Sequence, residues 1–117
     1  MNRKVALYVH DILQNMQDAE EFIEGLSYDQ FGKDKKTFNA VVRAIEVIGE
    51  ATKNVPASVR NKYTAVPWKE MAGMRDKVIH LYSGVDREAV WLVVKERIPV
   101  IKPIIEQVLR DLEEQEK

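Results

Sequence analysis

The sequence has no cysteine among its 117 residues, only five glycines and four prolines, and no apolar run long enough to span a bilayer. Without cysteine there is no disulfide, no thiol nucleophile and no zinc knuckle. An apolar content of 45% and a charged content of 32% are typical of a folded, soluble, helix-prone protein rather than a disordered one. Because no basic-then-apolar leader is visible at the N-terminus, we expect a cytoplasmic location.

The formal charge is nearly balanced at −1, but it is unevenly distributed. Residues 33–102 contain 14 Lys and Arg against 8 Asp and Glu, a balance of +6, whereas the two ends contain 4 against 11, a balance of −7. Solvated acidic terminal helices are the simplest interpretation. The alternative is that the central segment presents a modest basic surface to a phosphate-bearing partner.

Apolar residues recur at helical spacing through most of the chain, and no strand pattern is visible. Capping residues start several of these helices: Ser27 has capping-box spacing, and Asp34 and Asp86 are candidate N-caps. Pro99 is expected to kink or break the chain before the last helix. The sequence therefore predicts an all-α protein, a single domain over residues 1–117 built as an up-and-down bundle of four to five helices. The predicted helices cover about residues 5–25, 34–54, 56–63, 67–83, 86–97 and 100–112, before an acidic tail at about 113–117.

Chemically capable side chains are concentrated in one place, the spacing Arg75-x4-His80-x-Tyr82 in the helix predicted over residues 67–83. Arginine keeps its charge at all physiological pH values, and histidine is the side chain that titrates near neutrality. A permanent cation beside a proton donor or acceptor is suited to phosphodiester chemistry.

On a straight helix, Arg75 and Tyr82 would share one face, whereas Arg75 and His80 would be separated by about 140°. Two arrangements would bring the arginine and the histidine together: the helix ends or loosens near His80, or two copies of the motif meet across a two-fold dimer. Asp76 lies four residues before His80 and could orient its imidazole on the same helix face.

These residues also have structural interpretations. Arg75 could be an ion-pair partner of Glu70 or Glu50, and His80 could interact with a helix dipole. Trp68 and Trp91 are better explained as core anchors than as stacking platforms, and so are four apolar residues of the same segment: Met71, Met74, Val78 and Leu81.

Other chemistries fit the sequence poorly. The pair His10-Asp11 is isolated, and the Glu-x-x-His pairs of a di-iron bundle are missing. There is no glycine-rich phosphate loop, nucleophile elbow or dinucleotide fingerprint. The sequence therefore predicts no metal and no cofactor.

The motif and its surroundings resemble the HEPN-domain toxins of the HepT type, the toxins of HepT–MntA toxin–antitoxin pairs. Three elements carry the resemblance: Arg75-x4-His80-x-Tyr82, the flanking segments Pro67-Trp68-Lys69-Glu70-Met71-Ala72-Gly73-Met74 and Ser83-Gly84-Val85-Asp86, and Ile48-Gly49-Glu50-Ala51 on the preceding long helix. The resemblance covers nearly the whole chain. One difference is that Asp76 stands where the family most often has Asn.

The resemblance implies a homodimeric helical bundle in which two Arg-x4-His motifs meet in an interfacial cleft. It implies a metal-independent endoribonuclease of a type VII-like toxin–antitoxin system, with Arg75 and His80 as the catalytic residues and RNA as the substrate. A minimal nucleotidyltransferase antitoxin would neutralise it by transferring AMP to Tyr82. The alternative is a non-catalytic subunit that binds a nucleotide or substrate for such a nucleotidyltransferase, which would need Arg75 but not His80.

Overall fold

The computed structural model describes residues 3–80 and 84–115, without the side chains of Arg3 and His80. The described chain is almost entirely helical, so the predicted all-α bundle is confirmed. The elements in order are α1 (Arg3–Phe22), α2 (Tyr28–Lys33), α3 (Lys35–Lys53), α4 (Ala57–Lys62), α5 (Trp68–Ala72), α6 (Met74–Val78), β1 (Ile79–His80), β2 (Gly84–Val85), α7 (Arg87–Leu92), a π-helical turn (Val93–Arg97) and α8 (Ile98–Gln115).

The helix starts are set by side chains that satisfy free backbone N–H groups. Ser27 and Gln30 form the predicted capping box, in which the Gln30 N–H donates to Ser27 Oγ at 3.1 Å and the Ser27 N–H donates to Gln30 Oε1 at 2.9 Å. The carboxylate of Asp34 accepts the first hydrogen bonds of α3, and that of Asp86 accepts from the Ala89 N–H at 3.0 Å. These three predicted caps are confirmed.

The three longest helices form the centre of the bundle. α1 packs against both α3 and α8, while α5 and α6 pack against α3. Every one of these helices turns an apolar stripe toward one continuous core, because that is where its side chains leave water. Fully buried members of the core include Val9, Ile12, Met16, Phe31, Val41, Ile45, Ile48, Met71, Ile98, Ile101, Ile105 and Leu112. No described helix combines the length and the apolar character needed to cross a bilayer.

The chain is not broken at Pro99. Instead, α7 continues through the π-helical turn into α8, and the Ile98 N–H donates to the Val93 carbonyl five residues back. Proline has no N–H to donate and its ring crowds the carbonyl four residues before it, so a wider turn at this point accommodates it. α8 then runs through Gln115, so the described part of the acidic tail is helical and exposed.

The helix predicted over residues 67–83 is interrupted at Gly73 and ends before Ile79, so the prediction is wrong at these points, and the prediction of no strand is also wrong. The segment is divided at Gly73 into α5 and α6, and α6 ends at Val78. Ile79 is already extended, with φ −111° and ψ 117°, and the chain forms a two-stranded antiparallel hairpin. β-Branched residues at 78, 79 and 85 favour extended backbone, and Gly84 adopts a φ of +80° that suits glycine at the turn.

Candidate functional site

Gly49 sets how closely the motif-bearing segment approaches the long helix α3. The carbonyl oxygens of Ala72 and Met71, at the end of α5, lie 3.5 and 3.6 Å from the position that a Cβ on Gly49 would occupy. A side chain larger than methyl would therefore meet the backbone of α5. This contact gives a structural reason for the glycine in Ile48-Gly49-Glu50-Ala51, and it places α5 directly against α3.

The hairpin turns the chain immediately after α6. Ile79 pairs with Val85, and His80 pairs with Gly84. The Ile79 N–H donates to the Arg75 carbonyl at the end of the helix, and the Asp86 N–H donates to the Val78 carbonyl at 2.7 Å. Ile79 and Val85 are partly buried against the core, so the hairpin is held by packing as well as by its ladder. His80 is therefore in a short strand and not on a helix.

The end of α6 at Val78 removes the premise of three arguments from helical spacing. The 140° separation of Arg75 and His80 and the helical contact of Asp76 with His80 assumed a straight helix through residue 80, and the shared face of Arg75 and Tyr82 assumed one through residue 82. The first of the two predicted arrangements, a helix that ends near His80, is the one the structure has. Leu81 and Tyr82 lie outside the described residues, as does the side chain of His80, so their predicted roles stay predictions.

Arg75 is close to two carboxylates but bound tightly by neither. Its Nε lies 3.7 Å from Glu46 Oε2 on α3, and its Nη1 lies 3.8 Å from Asp76 Oδ1. Within the described part of the chain its guanidinium makes no hydrogen bond of 3.5 Å or less, and 52% of its side chain is exposed. The predicted alternatives, pairing with Glu70 or Glu50, are not what the structure shows. Arg75 is therefore half exposed, and its donors are not occupied by close hydrogen bonds to the described residues.

Glu70 instead pairs with Arg97. Arg97 Nε and Nη2 donate to the two oxygens of Glu70 at 2.7 and 2.8 Å, a two-point contact between α5 and the π-helical turn. The hydrogen bonds from Arg97 hold the pKa of Glu70 below its ordinary value, and Glu70 raises the pKa of Arg97. Sequence reasoning missed this pair, because 27 residues separate its members and no local spacing connects them.

The apolar residues near the motif belong to the core, as predicted for those that the structure describes. Met71, Met74 and Val78 are buried. Trp68 is 8% exposed and its indole N–H donates to the Tyr63 carbonyl at 3.0 Å. Trp91 packs against the core, with its ring 5.2 Å from that of Phe31. Both tryptophans are core anchors, as predicted.

Among the side chains that the structure describes, which exclude that of His80, no three from His, Asp or Glu are placed so that they could hold a metal ion together. His10 Nδ1 lies 3.9 Å from Asp11 Oδ1, and both side chains are more than half exposed. Arg75 itself can stabilise negative charge, and the described side chains around it supply no metal site.

Comparison with known proteins assigns the family. The family model described as "Ribonuclease HepT-like" matches residues 12–108. The chain is 46% identical over 111 residues to "Putative RNase MJ0127" of Methanocaldococcus jannaschii, covering 95% of this chain and 92% of that protein. It is also 46% identical over 102 residues to "Probable ribonuclease HepT" of Thermococcus cleftensis, covering 87% and 93%. No solved structure matches significantly. Because the match spans most of the chain and of its relatives, the chain belongs to the HepT-like ribonuclease family.

Proposed function

We propose that this protein is a metal-independent RNA endonuclease, the toxin of a toxin–antitoxin pair, with Arg75 and His80 as its catalytic residues. The main structural support for the proposal is the environment of Arg75. It lies in α6, five residues before His80, with a guanidinium that makes no close hydrogen bond to the described residues. The names of the similar proteins, which describe ribonucleases, support it.

The proposed reaction is transesterification. A base takes the proton of the RNA 2′-hydroxyl, the 2′-oxygen bonds to phosphorus, and the bond from phosphorus to the 5′-oxygen breaks as an acid protonates that oxygen. The products are a 2′,3′-cyclic phosphate and a 5′-hydroxyl. His80 takes one of the two proton-transfer roles, and a symmetry-related His80 or a water molecule takes the other.

Arg75 stabilises the charge that develops on the phosphate in the transition state. A cation aimed at developing charge contributes about 3 kcal/mol or more when its position is fixed in advance. α6 supplies that position, because Met74 and Val78 bury one side of the short helix while Arg75 projects from the other. Asp76, whose side chain is 79% exposed and 3.8 Å from Arg75, opposes RNA binding slightly.

RNA cleavage in EDTA tests the proposal. We expect the wild-type protein to cleave single-stranded RNA in EDTA and to leave cyclic phosphate ends, and His80→Ala to remain folded without cleaving. Cleavage that requires added metal, or that survives in His80→Ala, would exclude this mechanism. RNA binding that depends on Arg75 and occurs without cleavage would instead favour the non-catalytic binding subunit.

The proposal includes a homodimer with two motifs in an interfacial cleft. The end of α6 at Val78 removes the helical argument that a single subunit could not form a site, so the dimer rests on the family resemblance. Sedimentation should give a dimer at micromolar concentration. Mixing Arg75→Ala chains with His80→Ala chains should restore part of the activity if one site uses residues of both subunits, whereas a fully active monomer would contradict the dimer.

Regulation is proposed at Tyr82, through AMP transfer by a partner nucleotidyltransferase. Tyr82 is two residues after His80, so an attached nucleotide would bring a negative phosphate close to the motif, where it could pair with Arg75. Co-expression with the partner should add AMP to the wild-type chain and suppress its toxicity, and Tyr82→Phe should escape both effects. An unmodified Tyr82 in a neutralised complex, observed by intact mass spectrometry, would show that the partner acts by occlusion.

A further inference from the structure

A cationic pocket lies outside the motif. It has a volume of about 450 Å³ and is formed by the end of α2, the first turns of α3 and the start of α7. Lys33, Lys35 and Arg87 line it, together with the amide of Asn39 and the ring of Phe38. The pocket therefore combines three positive charges with an amide donor and an aromatic surface, the groups that proteins use to bind nucleic-acid backbones.

These three positive charges are not neutralised by the parts of the chain that the structure describes. None of the ion pairs there involves Lys33, Lys35 or Arg87. Asp34 lies between the two lysines in the sequence, and its carboxylate accepts hydrogen bonds from the backbone N–H and the hydroxyl of Thr37, at 3.1 and 2.7 Å. It keeps its negative charge, so three positive charges face one negative charge. The pocket therefore keeps a net positive charge that an anion could balance.

Arg87 is positioned in the pocket without an ion pair. Its Cδ and Nη1 lie 3.9 and 4.0 Å from the point that a Cβ on Gly32 would occupy, so its side chain extends across the open backbone of Gly32. The centre of its guanidinium is 5.9 Å from the centroid of the Phe38 ring. Packing thus restrains the side chain while its donors stay available, which lowers the entropy lost when it binds a phosphate.

Two elements that line the pocket, α3 and the start of α7, also lead to the motif. Asn39 lies seven residues before Glu46 on α3, so the two residues share one helix face and are about 10 Å apart. Glu46 in turn lies 3.7 Å from Arg75. Arg87 lies three residues after Gly84, so at most about 11 Å of chain separates it from the residue that pairs with His80. A single strand of nucleic acid that occupies the motif could reach the pocket within a few nucleotides.

We propose that the pocket lined by Lys33, Lys35 and Arg87 binds a phosphate of the RNA strand a few nucleotides from the scissile one. It positions the strand for Arg75 and His80 and takes no part in the chemistry. This inference rests on the proposed ribonuclease function, and it adds an RNA-binding subsite formed by α2, α3 and α7.

Binding of a non-cleavable RNA tests the subsite. The probe is a short fluorescent single-stranded RNA with 2′-O-methyl groups, which lacks the nucleophile but keeps every phosphate. We expect Lys35→Gln with Arg87→Gln to raise Kd about tenfold at physiological salt and to reduce the slope of log K against log salt by about 0.7, because the pocket holds one phosphate and each phosphate neutralised on a single strand contributes about 0.7. Arg87→Lys should keep most of the affinity, since it keeps the charge.

The matched control removes one exposed lysine and one exposed arginine on other helices, Lys62→Gln with Arg110→Gln, on α4 and α8. An unchanged salt slope in this control, with a reduced slope in the pocket variant, supports the subsite. Equal effects in both variants would show that only net charge matters and would overturn it. Wild-type cleavage together with an unchanged Kd in the pocket variant would overturn the subsite while the ribonuclease function stands.

A wild-type protein that neither cleaves nor binds RNA would overturn the ribonuclease function and the subsite together. A pocket variant that binds RNA normally but no longer accepts AMP from the partner would also overturn the RNA assignment, because the pocket would then serve the nucleotide.

Discussion

Arg97 and Arg75 lie beside the same segment of the fold, yet their surroundings differ. Arg97 makes two short hydrogen bonds to Glu70 and connects α5 to the π-helical turn. Arg75 has carboxylates at 3.7 and 3.8 Å, makes no close hydrogen bond to the described residues and is half exposed. An arginine whose donors are satisfied holds structure, whereas one whose donors are open can bind a substrate. The difference separates a structural cation from a candidate catalytic one in neighbouring elements.

The largest expected effect is on activity at Arg75. We expect Arg75→Gln to reduce RNA cleavage by about 10²- to 10³-fold, the usual cost of removing a charge-stabilising group. Its free energy of unfolding should change by less than about 0.5 kcal/mol, since the side chain is exposed and weakly paired. Lys77→Gln, an exposed cation on the same helix, is the matched control for net charge. Comparable losses in both variants would contradict a specific role for Arg75.

The next largest effect is expected on folding stability at Gly49, where α5 packs against α3. Gly49→Val should destabilise the protein by about 1–3 kcal/mol in urea unfolding, because its methyl groups would meet the carbonyls of Met71 and Ala72. Gly49→Ala is the control. A single Cβ would lie at ordinary contact distance there, and alanine favours the helix. Equal stability of the valine and wild-type proteins would show that α5 can move away from α3.

A smaller effect is expected at the Glu70–Arg97 pair. Arg97→Gln should lower the free energy of unfolding by less than Gly49→Val does, since the pair is partly exposed although its two-point geometry is good. RNA cleavage should be retained, which is the reverse of the result expected for Arg75→Gln. A double-mutant cycle with Glu70→Gln measures the coupling, and a coupling near zero would contradict the pair as a stabilising contact.

The same pair should make stability depend on pH. The pKa of Glu70 is lower in the folded protein than its ordinary value of 4.5. Its contribution to folding stability is therefore complete at pH values above this ordinary pKa, and it disappears as pH falls through the pKa of the folded protein. The stability difference between wild type and Glu70→Gln should therefore be present at pH 7 and vanish in acid. Thermal unfolding at several pH values measures it, and a constant difference would contradict the assignment.

The smallest effect is expected at Asp76. Replacing its exposed carboxylate by an amide in Asp76→Asn removes one negative charge 3.8 Å from Arg75. We expect RNA affinity to rise about twofold, consistent with the small energies of exposed charge pairs. Fluorescence polarisation with the non-cleavable RNA measures the change. A loss of affinity would show that Asp76 helps to position Arg75 instead of competing with the substrate.

Local sequence signals predicted most of the helical framework. Ser27, Asp34 and Asp86 act as caps because a short polar side chain satisfies free N–H groups at a helix start, which depends only on neighbouring residues. The buried stripe of α3 likewise follows from apolar spacing, and the family motif was visible in the order of Arg75, His80 and Tyr82. These features needed no information from distant parts of the chain.

The helix predicted through residue 83 failed because its apolar spacing was also compatible with a hairpin. Val78, Ile79 and Val85 suit extended backbone, and pairing Ile79 with Val85 buries both against the core. Periodicity alone does not distinguish a buried helix end from a short buried ladder. The choice between the two depends on whether a partner strand and a core surface are available to the segment.

The sequence by itself determined the helical class, the capped helix starts, the core stripes and the identity of the motif residues, since each depends on side chains within a few positions of one another. Only the tertiary structure decided that Glu70 pairs with Arg97 and leaves Arg75 open, that Gly49 receives α5, and that Lys33, Lys35 and Arg87 share one pocket. These relations join residues far apart in the chain. They arise because packing the helices around one core selects which distant side chains meet.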